Sequence, residues 1–254
     1  MKVLLVVVDG MRPDAMVQIP KARELMKKAT YTLNGRTVFV SATLPAHMSL
    51  FHSVDTERHG TILNSFVPQV RPINGLSEVL KANGKSSAFF HTWELLRDLN
   101  RPGSVDFSYF YAAKVVGFER ANSIVTDAAI KHISEWHTDF AFLYLANTDT
   151  AGHKYGWMSK EYMESMAEAF DNIERIMQTL DNDWSVIIVS DHGGNGRHHG
   201  TDSKEDMTIP LMFIGKPFEM GKELETVSIK DVAPTITTLF GIEPDEDWEG
   251  KSII

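Results

Sequence analysis

Short, wholly apolar runs separated by longer amphipathic stretches constrain this chain more than any other feature. The first run, Val3 to Val8, stops abruptly at Asp9. A run with no polar alternation suits a strand buried on both faces, as in a parallel sheet with helices above and below it. Ser87 to His91, Phe140 to Leu145, Val186 to Ser190 and Leu211 to Ile214 repeat the pattern. Helical periodicity predicts helices near Ala15 to Lys28, Leu76 to Asn83, Phe118 to Trp136, Lys160 to Leu180 and Asp231 to Phe240. The expected fold is α/β, a three-layer αβα sandwich with a mainly parallel central sheet. Residues 64–72 and 97–116 are rich in Pro, Gly, aromatic and polar residues, which predicts long loops or a small lid within 61–116. No repeat or linker divides the chain, so residues 1–254 are expected to form a single domain.

The formal net charge of −9 argues against a nucleic-acid surface or an anionic-membrane surface, both of which need an excess of Lys and Arg. An anionic substrate would then need local positive charge. The absence of Cys removes disulfides, thiolate metal sites and a cysteine nucleophile. The opening apolar run is too short for a signal-peptide core, and nothing approaches the roughly 20 apolar residues of a membrane helix. A cytoplasmic protein is the expectation.

Open α/β sheets bind ligands beyond the carboxyl ends of their strands, and the polar clusters of this chain fall there. Asp9 follows the first strand, Asn147 to His153 the third, and Asp191-His192-Gly193-Gly194 the fourth. Read alone, Asp9 is a cap or turn residue. In company it belongs to a set of carboxylates and imidazoles, the ligands that zinc and similar ions accept. Asp149 and His153 are spaced to lie on one side of a helical turn. Asp191 and His192 need a non-helical turn to converge, for which Gly193 and Gly194 offer backbone freedom. Of the two histidines in the loop from Gly196 to Asp206, His199 beside Gly200 is the candidate ligand. In Ser41-Ala42-Thr43-Leu44-Pro45-Ala46-His47 the Thr43 hydroxyl is a candidate nucleophile, and it would need a base or a cation to become an alkoxide.

Taken in order, VVVDGMRPD at residues 6–14, TLPAH at 43–47, HGTILN at 59–64, TDTAGH at 148–153, SDHGG at 190–194 and HGTDSKEDMTIP at 199–210 resemble the alkaline phosphatase superfamily. Within it they resemble the type I phosphodiesterase/nucleotide pyrophosphatase branch. The closing DVAPTITTLFGI and WEGKSI also look like that family. The resemblance implies a hydrolase of phosphate esters, acting on a small-molecule ester or nucleotide with two divalent ions, Zn2+ or in its place Mn2+. One ion would be held by Asp149, His153 and His199, the other by Asp9, Asp191, His192 and Thr43. Asn64 would donate to a non-bridging phosphoryl oxygen. Thr43 would attack phosphorus in line and form a phosphothreonine-type intermediate that water then hydrolyses. Two dications against three carboxylates leave about one positive charge to attract the substrate.

There are departures from the pattern. Many relatives carry Phe-Pro-Asn-His where this chain has Leu44-Pro45-Ala46-His47. The stretch between Gly60 and Asp139 is too short for the cap domain of the related phosphomutases. Sulfatases need an oxidisable Cys or Ser at the place of Thr43 and an Arg at that of His47. A phosphomonoesterase or phosphonate hydrolase would use the same site, with Lys204 or Arg197 as candidates for binding the extra charge. Trp93, Phe66, Phe110 and Tyr111 are candidates for a leaving-group pocket. A metal-binding relative without turnover is the non-enzyme alternative.

Overall fold

A computed structural model of the chain describes residues 1–118 and 120–254. Seven strands form one sheet: β1 (Lys2–Val8), β2 (Thr30–Arg36), β3 (Ser87–His91), β4 (Phe107–Phe110), β5 (Phe140–Leu145), β6 (Trp184–Val189) and β7 (Thr208–Ile214). Their order across the sheet is β2-β7-β6-β1-β5-β3-β4. From β6 to β4 every pairing is parallel, while β7 runs antiparallel to both β6 and β2. The sandwich is therefore α/β and mostly parallel, as the apolar runs predict.

Because successive side chains of a strand point to opposite faces, the same runs build two cores. Val3, Leu5, Val7, Phe140, Phe142, Ile187 and Val189 face the helices Thr43–His52 and Val232–Leu239. Leu4, Val6, Val8, Ala141, Leu143, Val186 and Ile188 face the helices Pro20–Met26, Ala121–Glu135 and Lys160–Met177. The longest of these, Lys160–Met177, starts at Ser159, whose side chain accepts the Tyr162 N–H. It buries Tyr162, Met166, Ala169, Phe170, Ile173 and Ile176, a spacing that makes one apolar stripe. Each large side chain so buried contributes roughly 1.5–3 kcal/mol. Among the described residues no helix is long and apolar enough to cross a membrane.

Several expectations need correction. The single helix expected from Ala15 to Lys28 is two, Pro13–Met16 and Pro20–Met26. Pro20 lacks an N–H and would clash with the carbonyl four residues back, so it starts a new helix. The helix expected from Phe118 begins at Ala121, because Phe118 packs against the core on the opposite side of the sheet from Val125 and Ala129. The strands β2 and β4 escaped the sequence reading. Both lie at sheet edges, where β2 is half-buried and β4 has no fully buried residue, so neither shows a continuous apolar run. Much of 61–116 belongs to the body of the fold, as the helix Leu76–Ala82 and the strands β3 and β4, so any lid is confined to the loops between them.

Candidate metal and phosphoryl-transfer site

The strand order reverses direction on either side of β1, which opens a crevice at the carboxyl ends of β1, β5 and β6. Asp9 leaves β1 there, buried, with its N–H on the Leu145 carbonyl at 3.1 Å. Past β5, the helix Asn147–Tyr155 carries Asp149 and His153 on one face. Past β6 come Asp191 and His192, both fully buried. Thr43 is the first residue of the helix Thr43–His52 and is 5% exposed.

Glycines allow these segments to meet. Gly10 has φ +68°, and a Cβ there would sit 3.1 Å from the Asp149 Cα. Gly193 and Gly194 were expected to supply backbone freedom, but their φ angles are ordinary. Their role is close approach: a Cβ on Gly193 would collide with the Glu205 carbonyl, and one on Gly194 with the Trp157 ring. Trp157 in turn donates its Nε1–H to the Gly10 carbonyl at 3.0 Å.

Each of the three histidines is oriented by a backbone carbonyl. His153 Nδ1–H donates to Arg197 O at 2.9 Å, His199 Nδ1–H to Ser41 O at 2.9 Å, and His192 Nδ1–H to Gly193 O at 2.8 Å. That arrangement, inferred from the partners, turns every Nε2 inward, the site of the proton on His192 and of a lone pair on His199. The Nε2 atoms of His153 and His199 stand 3.1 Å apart, at 3.5 Å and 3.6 Å from Asp149 Oδ1. His192 Nε2 lies 3.2 Å from Asp9 Oδ1, 3.3 Å from Thr43 Oγ1 and 3.5 Å from Asp191 Oδ2. Asp9 Oδ1, Asp149 Oδ1 and Asp191 Oδ2 are buried with no hydrogen-bond partner. Facing lone pairs and orphaned carboxylate oxygens are costly unless a cation lies among them, so these donors fit bound metal.

The side chains group as Asp149, His153 and His199, and as Asp9, Asp149 and His192, with the ligand atoms of each group within 4.8 Å of one another. Asp149 thus lies between the two groups. All seven residues named from sequence as metal ligands converge here, and Asn64 borders them. Its Oδ1 accepts the Leu44 N–H at 3.0 Å, which leaves its Nδ2 donors available.

Burial and the neighbouring Asp9 charge push the Asp149 and Asp191 carboxyls well above the usual carboxylate range. Asp9 is also opposed by burial, but the charge of His192 and the hydrogen bond from Tyr144 hold it below its ordinary value. His192 is raised to about 10, since Asp191 and Asp9 outweigh the burial that disfavours its charge. His199 is pushed down to about 3 by burial and by His192. Three carboxyls this close cannot all ionise without compensating positive charge.

Two residues that support this cluster gave no signal of their own in the sequence. Tyr144, on the same face of β5 as Phe140 and Phe142, donates its hydroxyl to Asp9 Oδ2. His47 donates Nδ1–H to the Thr43 carbonyl at 2.8 Å and approaches Asp191 Oδ2 at 3.5 Å. Burial pushes its pKa to about 4, so it is neutral.

The ligand cluster opens into a cavity of about 300 Å³ bordered by Thr43, Asn64, Trp93, Lys114, Phe118 and Tyr144. Of the four aromatics suggested by sequence, Trp93 alone lines it. Phe66 borders a different surface pocket, Tyr111 a neighbouring groove, and Phe110 lies under the Arg97 guanidinium. Lys204 sits with Arg12 in a separate groove, and neither Lys204 nor Arg197 lines the cavity. Lys114 is the one Lys or Arg among the described residues that lines it.

A family model described as type I phosphodiesterase / nucleotide pyrophosphatase matches residues 3–203. The bis(5'-adenosyl)-triphosphatase enpp4 of Mus musculus is 26% identical over 221 residues, covering 76% of this chain and 47% of that protein. A 2,3-bisphosphoglycerate-independent phosphoglycerate mutase of Clostridium acetobutylicum is 30% identical over 137 residues, covering 51% of this chain and 26% of that protein. The chain spans about half the length, or less, of these relatives. Among solved structures, murine ectonucleotide pyrophosphatase / phosphodiesterase 5 superposes with a TM-score of 0.81 at 15% identity, covering 98% of both chains. An inactive variant of that murine protein is also known in complex with AMP. At such identity the structural likeness is one of fold.

Proposed function

The chain belongs to the type I phosphodiesterase / nucleotide pyrophosphatase family, and from that premise we propose that it hydrolyses phosphodiester or pyrophosphate linkages of small nucleotides, with Thr43 as nucleophile. One observation carries the reading. Three inward-facing imidazole Nε2 atoms and three orphaned carboxylate oxygens cluster at a cavity lined by Asp9, Thr43, Asp149, His153 and His199, with Asp191 and His192 buried behind them.

Asp149, His153 and His199 would hold one divalent ion, and Asp9, Asp191 and His192 with Thr43 a second, Zn2+ being the ion suited to such mixed carboxylate and imidazole donors and Mn2+ a substitute. When bound, the ions supply positive charge beside the phosphoryl oxygens and lower the pKa of hydroxyl groups near them.

The remaining roles fall to the chain itself. The helix Thr43–His52 presents Oγ1 from its first turn, where the free N–H groups and the helix dipole favour a negative oxygen. Asn64, fixed through its Oδ1, directs Nδ2 toward a non-bridging phosphoryl oxygen. Thr43 Oγ1 gives its proton to solvent and bonds to phosphorus while the bond to the leaving oxygen breaks, and the leaving oxygen departs with a proton from solvent or as the anion. Water then adds to phosphorus and breaks its bond to Oγ1, releasing the phosphate monoester, for a nucleotide substrate the nucleoside monophosphate, while Oγ1 takes back a proton as the hydroxyl. The names of the relatives, one a dinucleoside triphosphatase and one a structure with AMP, support a nucleotide substrate.

The test combines metal analysis with turnover of bis(p-nitrophenyl) phosphate and a dinucleoside polyphosphate. Loaded protein should carry two ions and hydrolyse at least one of them. Thr43→Ala should keep both ions and lose about a thousandfold or more in kcat. Undiminished turnover in that variant would remove Thr43 from the reaction.

A further inference from the structure

We infer that Lys114 is a specificity-determining residue that pairs with a negative charge of the substrate beyond the first, so that this site favours doubly charged phosphate substrates over singly charged diesters. The inference rests on the hydrolase reading above and adds a residue that neither the sequence motifs nor the ligand cluster contains.

Position is the first argument. Lys114 is the one Lys or Arg lining the cavity among the described residues. The helix Ala113–Val116 carries it, just past β4 and therefore at the same carboxyl edge of the parallel sheet as Asp9 and Asp149. This turn is anchored. Ala113 is buried and its N–H donates to Tyr111 O at 2.7 Å, while the Tyr111 N–H donates to His91 O at 3.0 Å. Phe118, packed partly against the core, holds the far end.

Availability is the second. Other cations lie elsewhere: Arg97 pairs with Glu94 at 3.2 Å and covers Phe110, Arg120 and Lys154 border the neighbouring groove, and Arg12 lines a separate one. Among the described residues Lys114 has no ion pair.

Charge balance is the third. Two dications against Asp9, Asp149 and Asp191 leave about one positive charge, which a singly charged diester neutralises. A monoester dianion, or a phosphate adjoining the reacting one, brings a further negative charge. The Lys114 ammonium, on its flexible four-carbon stem, is the group positioned to meet it. The monoester and the pyrophosphate linkage share this chemistry, and an experiment separates them.

Metal-loaded wild-type protein, Lys114→Gln and Lys114→Arg are compared at pH 8, where a phosphate monoester is a dianion because its second pKa is about 6. Turnover is measured on p-nitrophenyl phosphate, bis(p-nitrophenyl) phosphate and a dinucleoside polyphosphate. Binding of inorganic pyrophosphate is measured by calorimetry on the same proteins, with metal content as a control.

In Lys114→Gln, the ratio of kcat/KM for doubly to singly charged substrates should fall about tenfold or more, and pyrophosphate affinity by a similar factor. Lys114→Arg should recover most of both. A loss confined to p-nitrophenyl phosphate assigns Lys114 to the reacting phosphoryl group, and one confined to the polyphosphate assigns it to the adjoining phosphate; either supports the inference. Equal losses on all substrates, or unaltered pyrophosphate binding, would overturn it. If wild-type protein turns over none of them while Lys114→Gln still loses pyrophosphate affinity, the hydrolase reading fails and the charge assignment stands.

Discussion

Tyr144 illustrates how a residue with no polar signature in the sequence governs a polar site. Its hydroxyl occupies Asp9 Oδ2, which leaves Oδ1 alone to face His192 and Thr43. Tyr144→Phe removes that donor without changing the ring's packing, so it should weaken metal affinity by about 10–100-fold, the usual effect of losing a partner that orients a ligand. Competition titration against a chelating dye measures it, and an unchanged affinity would mean that Asp9 needs no such support. The clustering of Asp9, Asp149, His153, Asp191, His192 and His199 was legible because they follow strands or sit beside glycines. Tyr144 and Lys114 were not, since one reads as a core aromatic and the other as a loop lysine until the sheet brings them to one cavity. His59 provides a pH prediction at the same scale. Its Nδ1 accepts the Thr61 N–H at 3.0 Å and its Nε2–H points to Ser49 Oγ at 3.0 Å. Burial lowers its pKa from 6.5 to about 4. The unfolded chain therefore takes up a proton at this residue between those values while the folded chain does not. The stability that His59 contributes is full above pH 6.5 and is lost as the pH falls toward 4, by about 3 kcal/mol at most. Urea unfolding should show a flatter acid limb for His59→Gln than for wild type.

At the level of elements, the strands that the sequence revealed are those enclosed on both faces, with β3 and β5 found to the residue. The strands it hid, β2 and β4, are edges whose exposed sides admit polar residues. Pro20 broke a helix that periodicity alone had joined, because hydrophobic spacing continues across a residue that the backbone ladder cannot accommodate. The Gly193-Gly194 pair shows the same limit from the other side: sequence shows that glycine is present but not whether it serves a turn or a close contact. Since a Cβ at Gly194 would meet the Trp157 ring, Gly194→Ala should displace Trp157 from the Gly10 carbonyl. The expected cost is about 1–3 kcal/mol, as for overpacking elsewhere. The midpoint of chemical denaturation measures it, and intrinsic tryptophan fluorescence follows the displacement; an unshifted midpoint would show that the ring accommodates the methyl group freely.

Across the whole molecule, the two cores and the crevice have one origin, the central position of β1. Its neighbours β5 and β6 flank it on opposite sides and run parallel to it, so each delivers acidic and imidazole side chains to the same end of the sheet. That arrangement concentrates three buried carboxyls, so metal removal should be felt globally. Chelation should lower the melting temperature, and adding back ions at about 100 times Kd should restore about 2.7 kcal/mol for each site filled, by mass action. Scanning calorimetry with and without chelator checks this, and identical melting curves would count against tight native-state binding. Fold class was legible from the rhythm of apolar runs, whereas the size and lining of the cavity were not, because loops distant in sequence set them.

The candidate ligand residues come from separated stretches of the chain, Asp9 just after the first strand and His199 from a loop beyond the sixth. During synthesis, a ribosome that has not yet passed His199 has released no polypeptide able to complete the Asp149, His153 and His199 grouping. Capture of that cation is therefore a late milestone in biogenesis, and a loaded molecule certifies that its central strands have already come together.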